Sequence, residues 1–162
     1  MRASRVRIRI LSDHEYLRGL LDEVDQQAFR VAKGAGEGVG MLRALGLQLL
    51  GRFSEHLTLE DRFLAPALRR AGPAGRERAE QLGADHREQR ELLDYLLDKV
   101  RDPSRPAAVL AAEWRSLVEL LLDDMAQEEL TILAGVGDSS SLSGASEVRE
   151  SRSWQFSARS SG

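Results

Sequence analysis

Cysteine is absent from this chain of 162 residues. Disulfides, iron–sulfur clusters, thiolate zinc sites and cysteine nucleophiles are therefore excluded. No apolar run approaches the roughly 18 residues of a membrane span. The opening, MRASRVRIRIL, alternates arginine with valine or isoleucine and has no continuous apolar stretch of the kind a signal peptide needs. The expected location is the cytoplasm, with no membrane partner. A net charge of −3 gives no general case for nucleic-acid binding. Histidine is also scarce, with three in the chain. The length suits one domain with a tail.

What is present is helical periodicity. Leu17, Leu20, Leu21, Val24 and Ala28 follow a 3.6-residue stripe. Ser12 and Glu15 have capping-box spacing, which predicts a helix start at SDHE. KGAGEGVG (33–40) breaks the pattern. It is no phosphate loop, because no strand precedes it and no Gly-Lys-Ser/Thr follows. A second helix is predicted from about Val39 to Leu68, with Leu42, Leu45, Leu49, Phe53, Phe63 and Leu64 on its apolar side. AGPAG ends it, and Pro73 suits the first turn of a third helix that runs to about Val100. After RDPSRP a fourth runs from about Ala107 to Leu133 through Leu110, Trp114, Leu117, Leu121 and Ile132. Short connections between long helices predict an all-α, up-down-up-down four-helix bundle over residues 11–134. Residues 1–10 read as an extended arm or short strand. Residues 135–162 are Ser/Gly-rich and aperiodic and read as a flexible tail, in which Trp154 and Phe156 read first as two aromatics in a disordered end and only second as a docking motif for a protein partner.

The three histidines fall on core-facing stripes of three different helices. His56 and Glu60 stand at i and i+4, with Leu49 and Phe53 below and Phe63 above. His86 has Leu82 before it and Leu93 after; His14 shares a side with Leu17 and Leu21. The fourth helix carries Asp124 and Glu128 at the same i, i+4 spacing, above Leu117, Leu120 and Leu121. DHEYLRGLLD (13–22) and DHREQRELLD (85–94) match at Asp, His, Arg, Leu, Leu and Asp, while HLTLED (56–61) and DMAQEE (124–129) share His/Asp-x-x-x-Glu-acid. One His-x-x-x-Glu pair alone is more often a surface ion pair or a satisfied core histidine. Four inward stations in matched order are what a two-ion centre between four helices needs. Imidazole and carboxylate without thiolate suit iron, manganese or zinc, and Glu60 and Glu128 are the natural bridges.

These residues resemble the hemerythrin-like (HHE cation-binding) family: a histidine early in helix one, His-x-x-x-Glu in helix two, a histidine in helix three and His-x-x-x-Glu in helix four. His14, His56 with Glu60, His86, and Glu128 match, over about residues 11–133. The run HLTLEDRFLAPAL looks like the family's His-x-x-x-Glu-acid followed by a leucine and a proline. The resemblance implies a centre of two non-haem iron ions with an oxo or hydroxo bridge, ligated by His14, His56, His86 and Asp124, with Glu60 and Glu128 bridging. It also implies a small-molecule partner: dioxygen, peroxide or nitric oxide. Asp124 departs from the family's usual histidine; aspartate is a competent iron ligand, but shorter and anionic. Oxygen-carrying members have a second histidine four residues along helix three. Arg90 stands at that spacing here, which argues against a simple carrier. Ferritin-like di-iron bundles use Glu-x-x-His, but Leu11, Phe53 and Gly83 precede the histidines at that spacing. The expectation is a protein that binds or senses a small oxidant. The alternatives are a di-iron redox enzyme, peroxide-consuming or repairing iron centres, and a bundle that has lost its metal.

Overall fold

The computed structural model describes residues 3–34 and 36–130. The tail read over 135–162, with Trp154 and Phe156, lies outside the described residues, as does Ile132. Four helices make up the described chain: α1 (Ala3–Ala32), α2 (Val39–Arg70), α3 (Pro73–Arg101) and α4 (Ala107–Glu128). None is long and apolar enough to cross a membrane.

Each helix owes its place to a stripe of buried residues spaced by three or four. In α1 the stripe is Val6, Ile10, His14, Leu17, Leu21, Val24, Ala28 and Val31. Cross-helix bonds show that neighbours run antiparallel. Asp13 of α1 meets His56 of α2, and Gln27 of α1 meets Gly38 just before α2. Asp61 of α2 meets His86 of α3, and Arg43 of α2 reaches Val100 of α3. Between α1 and α4, Glu129 meets His14 while Asp25 meets Arg115. The up-down-up-down four-helix bundle expected from periodicity is the fold observed.

Residues 3–10 are not the extended arm or short strand expected, because α1 begins at Ala3; Ser12 lies within it and caps nothing. Alternation of Arg with Val and Ile satisfies a period of two, but Val6 and Ile10 are also four apart. Both are buried, while Ile8 between them is 68% exposed. The helical period wins because α2 and α3 extend far enough to cover it: Val6 and Ile10 pack with Leu64 and Leu68 of α2 and Ala79 and Leu82 of α3. Phe63, expected in the core, is only partly buried, with the guanidinium groups of Arg9 and Arg62 each 5.2 Å from its ring.

The glycine-rich connection ends α1 at Gly34, whose φ of 96° lies in the left-handed region that a side chain disfavours. Gly46 serves a different purpose. A Cβ there would lie 2.3 Å from the Trp114 ring, so glycine is what lets α2 receive that indole. The larger apolar cluster, built around Trp114, draws on all four helices. The smaller one, around Ile10 and Leu64, draws on α1, α2 and α3. Leu17 and Leu57 belong to the first and Ile10 and Leu64 to the second, so the level of His14 and Glu60 separates the two.

Ile10→Ala should cost about 2–5 kcal/mol of unfolding free energy, the usual range for emptying a buried aliphatic site. Ile8→Ala should change it by less than about 0.5 kcal/mol, as for an exposed substitution. Urea denaturation of the two variants checks this; equal, small effects would return the first ten residues to an arm.

Candidate metal centre

Between the two apolar clusters the stripes turn polar at one level. His14, His56, Glu60 and His86 are at most 2% exposed, and Glu128 is 6% exposed. His14, His56, Glu60 and Glu128 each offer a ligand atom, and these atoms lie within 4.8 Å of one another. Glu60 is the hub. Its Oε1 lies 3.4 Å from Nε2 of His56 and 3.9 Å from Nε2 of His14, and its Oε2 lies 3.1 Å from Nε2 of His86. Glu128 approaches from α4, with Oε2 3.5 Å from Nε2 of His14.

The other nitrogen of every imidazole points outward to a carboxylate. His14 Nδ1–H donates to Glu129 at 2.7 Å, His56 Nδ1–H to Asp13 at 2.9 Å, and His86 Nδ1–H to Asp61 at 2.7 Å. Each carboxylate is in turn paired with an arginine: Arg18 with Glu129, Arg52 with Asp13 and Arg90 with Asp61. A carboxylate only accepts, so the proton of each neutral imidazole sits on Nδ1 and the Nε2 lone pair faces the core. That is the tautomer and orientation of a metal-ligating histidine backed by a carboxylate.

Lone pairs of three imidazoles thus converge on oxygens of buried carboxylates, which only a proton or a cation can reconcile. Protons do so in part. Burial, and then the charge of Glu128, holds the Glu60 carboxyl well above the usual carboxylate range. Burial holds His86 below its ordinary value despite Asp61, so a neutral Glu60 can donate to the His86 Nε2 that faces it. Burial would also lower His14, but Glu128 and Glu129 outweigh it and carry its pKa upward. Glu128 is correspondingly held low: burial opposes its charge, but the nearby His14 imidazole, 3.5 Å away, prevails. Protons do not satisfy every group. His14 Nε2, Glu60 Oε1 and Glu128 Oε1 are buried with no hydrogen-bond partner. Orphan atoms of imidazole and carboxylate, clustered in a dry core, fit a cation.

The six residues singled out from the sequence therefore divide. His14, His56, Glu60 and Glu128 come together as one compact group, and His86 joins it through the second oxygen of Glu60. Asp124 stands at the edge, partly buried, with Oδ2 accepting from Gln89 Nε2 at 2.8 Å. Sequence reasoning missed the outer carboxylates and Gln89. The signal for the first was present in the internal echo. Asp13 precedes His14, and Asp61 and Glu129 follow Glu60 and Glu128. Arg18 and Arg90 are the arginines matched in the two DH segments. Gln89 continues the buried stripe of α3 between His86 and Leu93, and its spacing from His86 could have revealed it.

Comparison with known proteins gives one match: the family model for the hemerythrin HHE cation-binding domain matches residues 8–135. No curated protein and no solved structure matches the chain.

A cation entering this site must displace the proton of Glu60 and compete with that of His14. Both pKa values are raised, so affinity must rise with pH and protons must be released on binding. Titration calorimetry of the metal-free protein with Co2+ at pH 6 and pH 8 should show tighter binding at pH 8. Asp61→Ala should weaken binding by about 10- to 100-fold, as loss of a backing carboxylate does. Glu55→Ala, which removes an exposed partner of Arg52, should leave it unchanged.

Proposed function

The chain belongs to the hemerythrin HHE cation-binding family, and on that premise we propose that it is a non-haem di-iron protein that binds or senses a small oxidant: dioxygen, peroxide or nitric oxide. The observation that supports this most strongly is the set of unpartnered core atoms on His14, Glu60 and Glu128, facing one another between two apolar layers. His14, His56, Glu60 and Glu128 hold one ion. His86 and Asp124, with the second oxygens of Glu60 and Glu128, would hold the other. Iron in such a site supplies reversible electron transfer and an open coordination position for the small molecule.

The protein's own contribution is orientation and exclusion. Asp13, Asp61 and Glu129 fix the imidazole tautomers, so no ligand has to rotate or lose an Nδ1 proton when the centre fills. Leu17 and Leu57 on one side and Ile10 and Leu64 on the other keep bulk water from the polar layer. In so dry a setting the added negative charge of Asp124, compared with a histidine, favours the more highly charged state of the ions. The outer carboxylates stay ionised to low pH. For Asp13 the bond from His56 is the main cause; for Asp61 and Glu129, burial is outweighed by their histidine and arginine partners.

Metal analysis of the purified protein should return iron, two per chain. Because the ions bind the folded state only, chelation should remove about RT ln(1 + [L]/Kd), roughly 4 kcal/mol at a thousandfold excess over Kd. For a chain of this size that lowers Tm by on the order of 10 °C. Stopped-flow mixing of the reduced protein with oxygen and with peroxide should give a stable coloured adduct. Repeated turnover of peroxide would instead make it a redox enzyme, and failure to take up any metal would leave a bundle that has lost its centre.

A further inference from the structure

Gln89 is a buried polar residue that neither the helical fold nor the six-residue centre accounts for. It is 2% exposed, three residues after His86 and therefore on the same face of α3. Its Nε2 donates to Oδ2 of Asp124 at 2.8 Å, across from α3 to α4. A carboxylate only accepts, so this bond fixes which way round the amide sits. Oε1 is left as a buried acceptor with no hydrogen-bond partner. The other partnerless buried side-chain atoms among the described residues belong to His14, Glu60 and Glu128, and to Arg52, whose partner Asp13 backs His56. The Gln89 oxygen thus falls in the same class as the atoms that mark the metal centre. Arg90, one residue further on, does not share its position. It turns outward to Asp61 and is 39% exposed.

Resting on the metal-binding reading above, we propose that the amide oxygen of Gln89 is a neutral ligand of the second ion, completing the half of the centre built from His86, Asp124 and Oε2 of Glu60. The two halves are then unlike. The first has two imidazoles beside its glutamates, and its four donors are already gathered. The second has one imidazole and is otherwise made of oxygen: carboxylates and one amide. Such a set suits a hard divalent ion, Fe2+ or Mn2+, and binds it less tightly than the compact half. Gln89 has two tasks within it. Its N–H group holds Asp124 in place, and its oxygen meets the cation. The ions load in sequence, the compact half first.

The test is titration of the metal-free, full-length protein with Co2+, followed by calorimetry and by the d–d absorption of the bound ion. Wild type should bind in two steps. Gln89→Leu should weaken the second step by about tenfold or more, leave the first within about twofold, and intensify the d–d bands of the second ion because one ligand is lost. Gln89→Glu separates the two tasks, since it keeps the oxygen and gives up the N–H bond to Asp124; its second step should be at least as tight as wild type. If Gln89→Glu fails alongside Gln89→Leu, the residue acts only by holding Asp124, and the proposal is overturned. An unchanged second step in Gln89→Leu, or equal loss of both steps, overturns it too. The proposed function is judged separately, on wild type alone: a wild-type protein that binds no Co2+ sinks that reading before any variant is compared.

Discussion

Three imidazoles turn their Nε2 atoms toward one glutamate, Glu60, in a layer buried from solvent, and the rest of the molecule is arranged around that conflict. A polar group buried without a partner costs several kcal/mol, and a domain of this kind is stable by only about 5–15 kcal/mol in all. A few such groups left unreconciled would consume the margin. The layer cannot be dispersed to the surface, because α1, α2 and α3 each contribute to it from the middle of a buried stripe and α4 from the end of its own. Cation binding and closure of the two apolar clusters onto each other are therefore coupled.

The surrounding hydrogen bonds follow an approximate two-fold pattern. The histidine of α1 is backed by an acid of α4, and the histidine of α3 by an acid of α2; in both cases the arginine four residues after the histidine pairs with that acid. At the remaining two stations the pattern parts. His56 donates outward to Asp13, whereas Asp124 receives a bond from Gln89. The acceptor at position 124 is matched by a donor amide on α3, so the fourth station is a pair.

Much of this was legible in the sequence because helical period and ligand chemistry reinforce each other. His56 with Glu60, and Leu49 with Phe53 below them, could only share a face if that face was buried. His14 and His86 were placed by the same logic. The helix start was misread because Val6, Ile8 and Ile10 fit two periods at once. What decides between them is the cover supplied by Leu64, Leu68 and Leu82, distant in sequence. Asp13, Asp61 and Glu129 were visible as acids beside ligands, but an acid next to an inward residue ordinarily faces water. Only the angle at which a neighbouring helix presents its histidine turns it into a partner. Gln89 was passed over because its meaning depends on Asp124, which lies on another helix.

The smaller apolar cluster contains no residue of α4. That helix ends at Glu128, level with the centre, and Glu129 follows directly as the acid that backs His14. Its last turn packs Met125 into the larger cluster and presents two adjacent glutamates, Glu128 toward the Nε2 of His14 and Glu129 to its Nδ1. A cation held by Glu128 and His14 would therefore also pin the last turn of α4 against α1. Without a cation, a proton on Glu60 relieves its repulsion with Glu128.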